Sequence, residues 1–347
     1  MNVERLAVEA GEPGAKVVAD AMRALAPAGV SVSGTVSEIV ASVRTRGEQA
    51  LLEYVERFDG MPSPPGPLRV ERSELDTALA QLDPEVRRGL EVAITNVRAV
   101  AEAGLIADKT VELSEGQRVT IRDLPVRRAA IYTPGGRNPY PSTVVMGVVT
   151  ARAAGVDEVV VCAPGAHPVI LAACALCGAD EVWRMGGAHA IAAFAYGTDS
   201  VPRVDVIAGP GSLYVQEAKR QVSGDVGIDG FAGPSDVLIL AAGDADPDLV
   251  VVDLLAQAEH GAGTIVALVT DDATLADTVA KRLDSEPDGD ACAAVVVVAD
   301  LEEGLAVAER FAPEHLELVG AAAEALADRV RSAGCVFVGR ESGTAFG

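Results

Sequence analysis

The chain is short of the residues that cross-link, bind phosphate or span a bilayer. Five cysteines in 347 residues make an odd count, which gives no disulfide framework for a chain of this size. Cys174 and Cys177 have C-x-x-C spacing only formally, because they sit in the Ala-rich run 171–179, where both read as small apolar packing residues. No apolar run approaches the roughly 18 residues of a membrane span. The opening MNVERLAVEAGEPG has no basic stretch followed by an apolar one, so it does not read as a secretion signal. Basic residues are scarce: 28 Lys and Arg against 51 Asp and Glu leave a net charge of −23. Such a charge repels phosphate backbones and anionic lipid surfaces, so neither nucleic acid nor membrane is an expected partner. The cytoplasm is the expected compartment. Only four histidines and one tryptophan occur, so each imidazole is worth placing.

The length allows about two domains of roughly 150 residues, each large enough to bury a core. Apolar residues recur at helical spacing from Val36 to Phe58 and again from Leu75 to Val100, with the rigid MPSPPGP loop between them. From about Arg118 the pattern changes to short β-branched runs alternating with Ala-rich helical segments, the pattern of a parallel sheet with crossover helices. Strands are expected at 159–161, 204–207, 237–240, 265–269, 295–298 and 336–338. An internal echo supports this: AGVDEV at 154–159 is answered by CGADEV at 177–182, each a helix ending at Gly just before a strand. The expectation is an open doubly wound α/β sheet between about Arg128 and Asp236 and a second sheet from there onward, with the N-terminal helices packed on it.

Open α/β sheets bind ligands beyond the carboxyl ends of their strands, so the loops there come first. Four are Gly-rich: 132–137 (YTPGGR), 186–189 (GGAH), 209–212 (GPGS) and 233–236 (GPSD), the last leading into a strand. None is a G-x-G-x-x-G or Walker loop. The GPGS loop opens a helix whose free N–H groups suit an anion. A second constellation lies on a helix written at both ends, with Asp246 as N-cap, Pro247 at its first position and Gly261 closing the run 249–260. Gln257 and His260 share a face in its last turn, where partial negative charge suits a cation; two such ligands alone do not make a metal site. The third is FAPEHLEL at 311–318, in which Pro313 stops a helix and Leu316 begins a strand. Glu314 and His315 in that connection place two proton acceptors side by side.

Taken in order, VRTRGEQALLEYVERFDG, YTPGGRNPYPSTVVMGVVTARAAGV, GGAHAIAAFAYGT, GPGSLYVQEAKRQV, AGPSDVLILA, LLAQAEHG and RFAPEHLELV resemble the histidinol dehydrogenase family over nearly the whole chain. The resemblance implies a zinc- and NAD-dependent enzyme that oxidises L-histidinol to L-histidine in two hydride transfers through a bound aldehyde, the last step of histidine biosynthesis. It implies that Gln257 and His260 are zinc and substrate ligands and that Glu314 and His315 are the catalytic pair, with His315 also contacting substrate. Ser235 would be a further substrate contact, and Tyr132, His189 and Ser212 would face the dinucleotide. The family usually has glutamine where His189 stands and asparagine where Ser212 stands; both replacements still donate a hydrogen bond. A homodimer with zinc sites shared between chains is also implied.

The same resemblance implies two incomplete Rossmann-like, doubly wound α/β domains with an N-terminal helical segment. The expected division is a helical arm at 1–20, a discontinuous domain of 21–130 with 236–347 carrying the metal and catalytic residues, and an inserted cofactor-side domain at 131–235. The family continues past a segment like 342–347 into a motif with an aspartate zinc ligand, then a region with a histidine ligand and a substrate-binding glutamate. The chain therefore reads as a C-terminally truncated member. Two other readings stay open on sequence: a related zinc and NAD dehydrogenase of another polar alcohol such as a sulfonated diol, and an inactive fragment or non-catalytic relative.

Overall fold

A computed structural model describes residues 3–8, 12–26, 31–61, 66–134, 139–231, 235–287 and 289–344. The chain opens with strand β1 (Val3–Ala7) and helix α1 (Glu12–Leu25). Helices α2 (Ser33–Arg46), α3 (Glu48–Phe58), α4 (Arg72–Gln81) and α5 (Pro84–Ala103) follow, then a hairpin of β2 (Lys109–Glu112) and β3 (Arg118–Ile121). An alternating series comes next: β4 (Arg128–Tyr132), α6 (Pro141–Ala153), β5 (Glu158–Cys162), α7 (Pro168–Cys177), β6 (Glu181–Trp183), α8 (Gly187–Tyr196), β7 (Val206–Ala208), α9 (Leu213–Val222) and β8 (Gly227–Ile228). A second series runs β9 (Asp236–Ala241), α10 (Pro247–Ala258), β10 (Ile265–Thr270), α11 (Ala273–Ser285), β11 (Cys292–Val297), α12 (Leu301–Phe311), β12 (His315–Val319), α13 (Ala321–Glu324) and β13 (Cys335–Val338). No helix among the described residues is long and apolar enough to cross a membrane.

The chain divides into a central unit, residues 31–233, and a terminal unit made of residues 1–30 and 234–347. In the central unit a parallel sheet runs in the order β6-β5-β4-β7-β8. Alternation along each strand sends Ala130 and Tyr132 to a core shared with α2, α3, α8 and α9, and Ala129 and Ile131 to a core shared with α4, α5, α6 and α7. Helices on both faces explain why these strands read as continuous apolar runs. The echoed glycines end their helices as expected, Gly155 and Gly178 both taking positive φ. Cys174 is buried in the second core and Cys177 partly so, as packing residues. The β2–β3 hairpin is solvated along its whole length.

The terminal unit holds a second sheet, all parallel, in the order β1-β11-β10-β9-β12-β13. Here α10 and α11 cover one face, while α1 and α12 cover the other. Three of its helices begin on side-chain caps: Asp246, Asp272 and Asp300 each accept a hydrogen bond from an amide of the first turn of α10, α11 and α12.

Three boundaries differ from the sequence expectation. The arm expected at 1–20 contains a strand, because β1 pairs in register with β11 and extends the terminal sheet. Residues 31–130 belong with the central unit rather than with 236–347, because α2 packs on α8 and α9, α4 on α7 and α5 on α6. The unit that carries the cofactor-side loops therefore begins a hundred residues earlier than the expected insertion at 131. Helix α10 also closes at Ala258, so His260 lies in the turn before Gly261, which takes φ +82°.

Candidate functional site

In the terminal unit, β9 and β12 lie side by side with His315 opposite Val237. Ser235 directly precedes β9 and Glu314 directly precedes β12, so strand register alone brings both to one place. The chain reaches Glu314 through Ala312 in a left-handed conformation, φ +49°, followed by Pro313, which ends α12 and turns into the strand. Gly334 lets the neighbouring backbone approach, since a Cβ there would stand 2.7 Å from the Glu314 carbonyl oxygen.

Gln257 reaches this place from the last turn of α10, where it is buried. Its Nε2 donates to Ser235 Oγ at 2.5 Å, and Ser235 Oγ donates to Glu314 Oε2 at 2.5 Å. Asp236 holds both Glu314 and His315: its Oδ1 accepts the Glu314 amide at 2.7 Å, and its carbonyl lies 3.2 Å from His315 Nδ1. A carbonyl only accepts, so Nδ1 carries the proton and Nε2 is left as the basic nitrogen. The His315 ring packs 5.9 Å from Phe337, with about a quarter of the side chain exposed, and the Glu314 side chain is half exposed. Burial raises the Asp236 carboxyl above its ordinary value. The tail of α10 and the turn before β12 thus converge, and the switch point of this sheet, between β9 and β12, is where they do so. They converge at the amino ends of the strands. The search for ligands beyond the carboxyl ends does not lead here.

His260 is exposed in the turn three residues beyond Gln257, its amide bonded to the Gln257 carbonyl. Among the described residues no group of three or more His, Cys, Asp or Glu side chains is placed to hold a metal ion. One amide oxygen and one imidazole do not complete the three or four protein ligands of a zinc centre, so the described donors alone do not fit the ion.

The cofactor-side candidates lie in the central unit, whose switch point falls between β4 and β7. Gly209, φ +121°, sits so close to the end of β4 that a Cβ would stand 2.2 Å from the Tyr132 carbonyl oxygen. The Tyr132 side chain is buried, its hydroxyl accepts the Gly187 amide at 3.0 Å, and burial pushes its pKa up. His189 is also buried, and its Nε2 pairs with Asp59 Oδ2 at 2.9 Å. That carboxylate oxygen accepts the Gly186 amide as well, at 3.0 Å. The N-cap amide of α8 is thereby met by the Asp59 carboxylate, where the helix dipole favours one, and its first helical amide by the Tyr132 hydroxyl. Ser212 differs: it caps α9 without a side-chain hydrogen bond to the helix and is exposed. Residues 135–137 and 233–234 of the Gly-rich loops lie outside the described residues.

Three acidic residues escaped sequence reasoning. Asp59 stands in VERFDG, a segment the resemblance quotes, but nothing local says it meets His189, 130 residues away. Asp229 accepts the Gly209 amide at 2.7 Å and pairs with the buried Lys219, which itself donates to the Gly209 carbonyl at 3.0 Å. Asp236 closes the GPSD loop in sequence, where nothing local says that it holds Glu314 and His315.

The family model for histidinol dehydrogenase matches residues 26–347. The histidinol dehydrogenase of Parasynechococcus marenigrum is 44% identical over 332 residues, 91% of this chain and 76% of that protein. That of Rhizobium meliloti is 41% identical over 326 residues, 90% of this chain and 75% of the relative. The crystal structure of histidinol dehydrogenase from Elizabethkingia anophelis superposes with a TM-score of 0.88 at 27% identity, covering 99% of this chain and 82% of that one. With a family model spanning the chain from residue 26, close relatives over nine-tenths of it and one shared fold, this protein belongs to the histidinol dehydrogenase family.

Proposed function

We propose that this chain oxidises L-histidinol to L-histidine through L-histidinal, reducing two NAD and consuming one water, as the last step of histidine biosynthesis. The observation that carries this reading is the hydrogen-bonded run Gln257–Ser235–Glu314 beside a His315 whose Nε2 is free to take a proton. When bound, NAD accepts the hydride at each oxidation. His315 Nε2 takes the carbinol proton, its ring held through Nδ1 by the Asp236 carbonyl so that Nε2 is the basic nitrogen. Glu314, anchored through Ser235 and through its own amide, takes a proton from the water that adds to the aldehyde. Ser235 and Gln257 are the polar groups that the substrate would meet there, with His260 and His315 beside them.

Gln257 and His260 are proposed as contributors to a zinc shell that other groups complete, and no proton transfer above depends on the metal. On the cofactor side, Ser212 and the open amides of α9 are the groups a dinucleotide phosphate would meet. Tyr132 and His189, bonded inside the unit, would shape that site by holding the α8 turn. A homodimer is proposed on the exposed apolar residues of the hairpin and its flanks, among them Ile106, Val111, Leu113, Val119, Ile121 and Leu124. The five cysteines are all free, which suits the reducing cytoplasm.

The test is NADH formation with purified protein, L-histidinol and NAD, scored against a panel of other polar alcohols. Two NADH per histidine formed is the expected stoichiometry. Turnover of a sulfonated diol in preference to histidinol would reassign the substrate.

A further inference from the structure

Beneath the Gln257–Ser235–Glu314 run lies a second group of polar residues to which the proposed reaction gives no task. Glu317 follows His315 by two residues on β12, so both side chains leave the same face of the sheet, the face that α10 covers. Asp253 precedes Gln257 by four residues on α10 and shares its stripe. Glu317 is 2% exposed, and its Oε1 accepts the amide of Thr344 at 2.7 Å. The backbone one residue earlier presses on the helix: a Cβ at Gly343 would stand 2.5 Å from Asp253 Oδ1. Residues 342–344 therefore lie against both elements that carry the site, one turn below Gln257 and one step below His315.

We infer that Glu317 is a positioning residue: by holding the Thr344 amide it docks segment 342–344 between β12 and α10 and so sets the separation of His315 from Gln257. The inference rests on the proposed site for its effect on turnover, whereas the docking itself is independent of it. The groups that face Glu317 are Asp253 from α10 and Thr344 from the docked segment. Burial, then the nearby Asp253, raise the Glu317 carboxyl to about 7, with the Thr344 hydrogen bonds opposing. Asp253 is itself raised by burial. As pH rises through that value a desolvated charge forms beside another acid, and the docked arrangement weakens.

Hydrogen–deuterium exchange of the full chain, corrected for the intrinsic pH dependence, reads this without substrate. Two regions matter, residues 335–344 and 249–262, each followed at pH 4.5 and pH 8. Glu317→Ala should speed exchange in both regions by tenfold or more at either pH, and Gly343→Ala should do the same by displacing Asp253. Glu317→Gln keeps an oxygen for the Thr344 amide. It should match the parent at pH 4.5 and lose the parent's extra exchange at pH 8. With L-histidinol, Glu317→Ala and Gly343→Ala should lower kcat tenfold or more while changing KM for NAD less than twofold. The inference is overturned if residues 249–262 exchange at the parent rate in both Gly343→Ala and Glu317→Ala, or if Glu317→Gln keeps the parent's pH profile. Should Glu317→Ala not fold, Gly343→Ala and Glu317→Gln still decide. Failure of the proposed reaction would show as no turnover in the parent, with the exchange pattern intact.

Discussion

In the central unit the strands, numbered by chain order from β4, run 3-2-1-4-5; in the terminal unit the strands from β9 onward repeat that order, with β1 added at one edge. One winding plan thus places two switch points, and the candidate residues lie at opposite ends of them. At the carboxyl ends of β4 and β6, Tyr132 and His189 are turned inward, sealed by the Gly187 amide and Asp59, while Ser212 beyond β7 is exposed. At β9 and β12 the candidate side chains sit at the amino ends of the strands, Glu314 half exposed and His315 about a quarter exposed, both held by the first residue of β9. The contrast teaches that a shared topology fixes where two strands part. Loop chemistry decides which end is used.

The comparison can be broken most sharply at His315. His315→Ala should lower kcat by about 10³-fold, the size expected for losing a general base, while near-ultraviolet circular dichroism stays that of the parent. An equal loss from His189→Ala would erase the distinction between the proposed reactive end and the sealed one. Next in size is the pH dependence of stability. Glu317 has a folded value near 7, above its ordinary 4.5, so the folded state holds the proton more tightly. Its contribution is complete below about 4.5 and is lost as pH rises to about 7, a span worth up to about 3 kcal/mol. Urea unfolding followed across that window should show the loss in the parent and its absence in Glu317→Gln.

Asp59→Ala should cost the central unit about 2 kcal/mol, because it strands the buried His189 nitrogen and the Gly186 amide without their acceptor. Thermal unfolding would read this as a lowered Tm with KM for L-histidinol unchanged. The smallest effect is expected from Ser212→Ala, a few-fold rise in KM for NAD measured at saturating histidinol, about 1 kcal/mol for one exposed hydrogen bond. No change in that constant would move the dinucleotide away from α9.

Much of this architecture was legible because local signals and tertiary fold agree. Asp246 and Pro247 start α10 as written, the echoed glycines end α6 and α7, and the β-branched runs become strands. Legibility failed where the deciding partner is distant. Val3–Ala7 carries little alternation, and it is a strand because β11, nearly 300 residues on, offers an open edge. Gln257 and Glu314 were readable as a pair of suspects, yet the hydroxyl that joins them, Ser235, and the backbone that orients His315 are products of register between β9 and β12. Glu317 reads from sequence as an ordinary charged strand residue, and only burial shows otherwise.

Asp236 supports the reactive histidine with its carbonyl and the glutamate's amide with its carboxylate, so both roles depend on the first rung of the β9–β12 ladder. Strand ends open more readily than strand centres, at a cost far below that of whole-unit unfolding. On the proposed mechanism, catalytic competence is tied to a strand-end rung of an otherwise well-buried sheet. In a denaturant titration, turnover should vanish while the circular dichroism of both sheets is still native, making this enzyme a sensor of fraying at a single strand end.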